Sequence, residues 1–93
     1  MNLSLDYDNT YTRDPNFWND FIALAKRNGH TVYCVTLRSP SEGKDVEAQL
    51  ADKVERILYT SRKAKQPFCF AQGISIDVWL DDMPFFIDND ARS

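Results

Sequence analysis

The stretch that most constrains this chain is LSLDYDNT, residues 3–10. Leu3, Ser4 and Leu5 read as a short buried strand that delivers two carboxylates, Asp6 and Asp8, and then a hydroxyl at Thr10. Carboxylates placed at i and i+2 just past a strand end do not belong to a core. Like charges at that separation repel, and they persist where a cation or a shared proton compensates. The spacing therefore points to a divalent metal, a two-carboxylate acid/base pair, or both. An acidic turn capping a strand would present the same letters, so the rest of the chain has to decide.

The 93 residues suit a single domain, 1–87, followed by a polar tail, 88–93. A chain of this size buries roughly two-thirds of its unfolded surface, which leaves little for decorative subdomains. Apolar residues make up 43% and charged residues 27%, and six Phe, four Tyr and two Trp can fill a dense core. The net charge of −3 argues against a broad nucleic-acid-binding surface. The one local basic cluster is Arg62, Lys63 and Lys65. Cys34 and Cys69 sit inside apolar runs and read as free buried thiols rather than a disulfide. No apolar run approaches the ~18 residues of a membrane span, and the start of the chain lacks the pattern of a signal peptide. The expectation is a cytoplasmic protein with no membrane partner, a monomer or a small homo-oligomer.

Asp14 followed by Pro15 predicts a helix start, and the helix should run to about Asn28 with Phe17, Phe21, Leu24 and Ala25 on its apolar face. TVYCVT, residues 31–36, has the continuous hydrophobicity of a strand covered on both faces. Strand, helix and strand make a βαβ unit, and parallel pairing then brings Thr36 beside Asp6 on the edge where open α/β sheets build sites. His30 falls on the opposite edge. Arg38, just past Thr36, is placed to reach a phosphate or to cover the sheet rim. A second helix is expected from about Asp45 to Glu55, with Val46, Leu50, Ala51 and Val54 inward. A third strand follows at Arg56–Thr60, a short helix around Pro67 ends at Gly73, and a fourth strand spans Ile74–Leu80. That strand ends in Asp81 and Asp82, and Met83 to Ile87 is apolar enough to dock.

The strand ends thus carry, in chain order, Asp6/Asp8/Thr10, then Thr36, then the Ser61–Lys65 cluster, then Asp81/Asp82. In this order the chain resembles the haloacid dehalogenase superfamily of aspartate-nucleophile phosphohydrolases, over residues 3 to 84. The resemblance implies a small Rossmann-like parallel sheet in an α/β/α sandwich, with Leu3–Leu5 central between the strands ending at Thr36 and Leu80. It implies a Mg²⁺-dependent phosphohydrolase. Asp6 would be the nucleophile and Asp8 the general acid/base. Thr36 and a lysine would bind phosphate, with Lys65 as the choice and Lys63 the alternative, and Thr10 would order the motif loop. The metal would be held by Asp6, the Asp8 main-chain carbonyl, and Asp81 or Asp82 or both. Too few residues separate Thr10 from the Asp14 helix start for a cap domain. A capless site is open, so a large phosphorylated substrate is expected: a nucleotide, a nucleic-acid end or a phosphoprotein.

The order of the residues weighs against rival readings. A receiver domain carries its acidic pair after the first strand and its lysine last, and a Toprim domain has its DxD late. Cys34 and Arg38 are one interval too close for a cysteine phosphatase. The alternative of a different class is a catalytically inactive descendant that keeps the metal site and acts as an interaction protein.

Overall fold

The computed structural model describes residues 1–92. Its centre is a parallel sheet made by β1 (Asn2–Leu5), β2 (Thr31–Thr36), β3 (Ile57–Tyr59) and β4 (Val78–Leu80), in the order β3-β2-β1-β4. The register pairs Leu5 with Cys34 on one side and with Leu80 on the other. The crossovers are α1 (Pro15–Arg27), α2 (Lys44–Leu50) and α3 (Lys65–Ala71), and α4 (Phe85–Asp88) follows the last strand.

Alternation along the strands assigns the two faces. Leu3, Leu5, Val32 and Cys34 form one core with Ile22 and Ala25 of α1 and Val46 and Leu50 of α2. Val35 and Leu58 point the other way and pack with Cys69 of α3, flanked by Tyr33, Phe68 and Trp79. The result is the expected three-layer, Rossmann-like α/β arrangement, with the chain reversing direction across the sheet between β1 and β4. Such a reversal opens a crevice at the carboxyl ends of the strands. Only a 3₁₀ turn, Tyr11–Arg13, lies between the β1 loop and α1, and no helix among the described residues is long and apolar enough to cross a membrane.

Several details differ from the sequence reading. α1 starts as expected, with the Asp14 carboxylate accepting from the Phe17 N–H, but its buried face is Ile22 and Ala25, bordered by Trp18 and Phe21. Phe17 and Leu24 are 56% and 50% exposed, because the helix is rotated so that the side carrying Ile22 and Ala25 meets the sheet. α2 stops at Leu50, and the following turn carries Val54 back into the core while Ala51 stays exposed. β3 is trimmed to three residues, although Cys34 N–H to Arg56 C=O and Thr60 N–H to Thr36 C=O continue its ladder at both ends. β4 begins only at Val78: one backbone bond, from the Asp77 N–H to the Asn2 carbonyl, continues upstream, and beyond it side chains take over, the Asp77 carboxylate accepting from the Asn2 N–H and the Asn2 amide donating to the Ser75 carbonyl. α4 packs against α3 with Phe86 and Ile87 half-buried, while Met83 and Phe85 are exposed. In the segment expected to fray, Asp90 accepts from the Ala64 N–H at 2.7 Å and the Ala91 N–H donates to the Arg62 carbonyl; Ser93 lies outside the described residues.

The rotated face of α1 is testable by unfolding in urea. Ile22→Ala should cost about 2–5 kcal/mol, as a cavity in a packed core does, and Leu24→Ala about 1 kcal/mol or less. The reverse ranking would contradict this placement.

Candidate functional site

The carboxyl ends of β1 and β4 lie side by side, with the Asp6 N–H donating to the Leu80 carbonyl at 3.0 Å. The loop after β1 folds back on itself, since the Asp6 and Tyr7 carbonyls accept from the N–H groups of Tyr11 and Thr12. Two buried tyrosines anchor it. Tyr7 and Tyr11 stack at 5.9 Å, Tyr7 donates to the Gln49 side chain of α2, and Tyr11 donates to Asn19 of α1. Asn9 closes the turn at φ 62, a left-handed conformation that asparagine tolerates better than most residues.

Lys65, the first residue of α3, reaches across to this loop. Its Nζ lies 2.8 Å from Asp6 Oδ1 and 2.6 Å from Asp81 Oδ2, and the three side chains are 2%, 9% and 4% exposed. The other Asp6 oxygen meets Thr10: the Thr10 hydroxyl is 3.2 Å from both Asp6 Oδ2 and Asp82 Oδ1, donates to one at a time, and accepts from the Asp82 N–H. Asp81 Oδ1 accepts from the Met83 N–H, which orients that carboxylate. Burial pushes Asp6 up to about 7 against the pull of the Lys65 ammonium, with the Asp81 charge adding to the rise. Burial also draws Lys65 down, but the charges and hydrogen bonds of Asp6 and Asp81 outweigh it and hold the ammonium above the ordinary lysine value.

Asp8 occupies a different environment. Both its oxygens are taken by a fork from Arg38, Nε to Oδ2 at 3.0 Å and Nη2 to Oδ1 at 2.8 Å. Arg38 is itself fixed by a bond to the Glu42 carbonyl and lies over the Tyr7 ring. Of the two roles open to Arg38 from sequence, this is neither; the signal available was only its place two residues past a strand end. Thr36 is buried at the end of β2, where its hydroxyl accepts from the Arg38 N–H, and Leu37 rather than Thr36 lines the cavity. Lys63 points away and lies near Asp90.

No protein-family model, no curated protein and no solved structure gives a significant match to this chain. The site therefore has to be read from its own geometry.

Asp6, Asp8, Lys65, Asp81 and Asp82 surround a cavity of about 120 Å³, small beside the ~300–1,000 Å³ of sites that enclose whole ligands. Such a space takes an ionic group rather than an entire metabolite. Asp6, Asp81 and Asp82 can each present a carboxylate oxygen within 4.8 Å of the others, and the Asp8 carboxylate is not among them. An all-oxygen donor set fits a hard divalent cation. The charge balance agrees, because four carboxylates face only two cations, Lys65 and Arg38, and a divalent ion would neutralise the remainder.

The raised Asp6 value gives a signed prediction. A carboxyl held at about 7 when folded, against 3.8 as its ordinary value, contributes stability that is full below about pH 4 and is lost as the pH rises toward 7. A divalent cation competes with that proton. Millimolar magnesium should raise the Tm, and by more at pH 8 than at pH 5. An unchanged Tm at both pH values, or a larger shift at pH 5, would count against a metal at Asp6.

Proposed function

We propose that the chain is a Mg²⁺-dependent phosphohydrolase of the haloacid dehalogenase type, working through an aspartyl-phosphate on Asp6. The observation that carries this reading is the buried Lys65 ammonium bridging Asp6 and Asp81 beside a third carboxylate, Asp82. An ammonium shared between two buried carboxylates, next to a cavity that admits only a small group, is suited to holding an anion against one of them.

In this reading an Asp6 oxygen attacks phosphorus, the bond from phosphorus to the leaving oxygen breaks, and the electron pair departs with that oxygen. Asp8 protonates it. In the second half Asp8 takes a proton from water, the water oxygen attacks phosphorus, and inorganic phosphate leaves with the Asp6 carboxylate restored. Mg²⁺ bound by Asp6 and by Asp81 or Asp82 would supply the positive charge that lets two anions approach. Lys65 offsets charge on Asp6 and on the phosphoryl oxygens. A phosphate-binding role for Thr36 would need its buried hydroxyl, which does not line the cavity, to become accessible, while Thr10 holds the loop through Asp6 and Asp82. Arg38 has to release one Asp8 oxygen before Asp8 can face a leaving group, since its fork occupies both. That fork is the observation favouring the second reading, an inactive binding protein that keeps the metal site.

Two variants separate the readings. Asp6→Asn should abolish turnover and all covalent phosphorylation. Asp8→Asn should slow turnover by something like 10²–10⁴, yet accumulate a phosphate adduct on Asp6 with nitrophenyl phosphate, whose leaving group needs no proton. Mass spectrometry of acid-quenched protein reads the adduct. Full activity in either variant, or an adduct on Asp8, would overturn the assignment, and no turnover by the unmodified protein would favour the binding reading.

A further inference from the structure

Lys65 is the only member of the basic cluster at the site; Arg62 and Lys63 open onto a second space. This open cleft of about 930 Å³ is lined by Arg62, Lys63 and Arg92, by Phe85 and Phe86, and, among the described residues, by one carboxylate, Asp90. Phe86 also lines the small cavity over Asp6, so the two spaces adjoin. With the Glu42 carboxylate that pairs with Arg62 counted, the described residues give the cleft three cations against two acids, a small positive excess in a chain of net charge −3. It favours an anionic ligand. Of its two aromatic residues, Phe85 is 63% exposed and meets the half-buried Phe86 edge-on at 5.4 Å.

The cleft is also a built feature. Ser61 and Arg62 both adopt left-handed conformations, φ 52 and 69, which non-glycine residues avoid at a cost. They are held by N–H bonds to the Arg38 and Leu37 carbonyls, and the segment after α4 is tied to the same loop through Ala91 and Asp90. Arg62 is paired with Glu42, and Lys63 stands 3.9 Å from Asp90 with its side chain 71% exposed. Lys63 is thus more open to a ligand than Arg62.

We propose that this cleft is the leaving-group subsite of the phosphatase proposed above, and that it takes the phosphorylated end of a single-stranded oligonucleotide. The inference rests on that reading. With the terminal phosphate over Asp6, the adjoining nucleotide lies across Phe86, a base stacks on Phe85, and the next phosphate meets Lys63 and its neighbouring arginines. Stacking on aromatic rings beside cations is the chemistry by which single strands are held without sequence preference. An acidic phosphopeptide would use the cations and leave the aromatic wall unused.

The test compares kcat/KM for nitrophenyl phosphate, for a short oligothymidylate phosphorylated at its 3′ or 5′ end, and for a phosphopeptide of equal net charge. The oligonucleotide should be preferred. Phe85→Ala and Lys63→Ala should each lower its kcat/KM about five-fold or more, and should leave nitrophenyl phosphate turnover unchanged. Preference for the phosphopeptide, no preference, or insensitivity to both variants would overturn the subsite while the phosphatase reading stands. Loss of all turnover would instead remove the phosphatase reading. In that event anisotropy of a labelled, phosphorylated oligothymidylate with the Asp6→Asn protein decides the cleft: binding weakened by Phe85→Ala and Lys63→Ala supports it, and no binding refutes it.

Discussion

The structure depends on one buried cation. Taking an ammonium out of water costs several kcal/mol, and Lys65 is 2% exposed, so its burial is tolerable only because two carboxylates, Asp6 and Asp81, meet it at 2.8 and 2.6 Å. The position is unfavourable locally as well. Lys65 is the first residue of α3, at the helix end whose dipole favours anions. Its partners come from β1 and from the end of β4, which are 75 residues apart in sequence at Asp6 and Asp81 and adjacent only because the chain reverses across the sheet. Topology and ion cluster therefore require each other. The reversal brings the three groups together, and any arrangement that separated them would strand a charge in a dry interior.

The opening motif places its two carboxylates in contrasting surroundings, which is how two chemically equal groups acquire different roles. Asp6 is buried against an ammonium and a threonine hydroxyl, and burial dominates its titration. Asp8, with a side chain 49% exposed, is held by a guanidinium that also rests on Tyr7. An exposed ion pair is worth at most about 1 kcal/mol, so the Arg38 fork can be opened by a bound phosphate far more cheaply than the Lys65 cluster. One carboxylate is fixed and the other is releasable. That difference is what a fixed nucleophile and a mobile proton carrier require.

Much of this was legible in the sequence because strand ends are legible. β2 fell at its predicted bounds since TVYCVT is apolar throughout, and the chain order of the strand ends was enough to place Asp6, Lys65, Asp81 and Asp82 at one rim. The apolar face of α1 was half right: Phe21 and Ala25 meet the core, but Phe17 and Leu24 satisfy helical spacing as well as Ile22 does, and only the seating of the helix on the sheet buries Ile22 and leaves those two exposed. β4 was drawn too long because ISIDVWL alternates like a strand, while the Asp77 carboxylate bonds the Asn2 N–H and the Asn2 amide bonds the Ser75 carbonyl, which no periodicity reveals. Arg38 could be placed but not assigned, since its partner Asp8 is 30 positions away. Pairing between loops is tertiary information. The same holds for the aromatic cleft, whose walls come from the β3–α3 loop and from the chain at and beyond α4.

The central claim, that Asp6 accepts a phosphoryl group while Lys65 and the neighbouring carboxylates hold the surrounding charge, is tested most directly by a crystal structure of the protein with magnesium and beryllium fluoride, a tetrahedral mimic of a phosphoryl group on a carboxylate. The account predicts beryllium bound to an Asp6 oxygen, Lys65 Nζ in contact with the mimic, and magnesium between Asp6 and Asp81 or Asp82. A mimic on another residue, or an ion cluster unchanged by saturating concentrations of both, would contradict it.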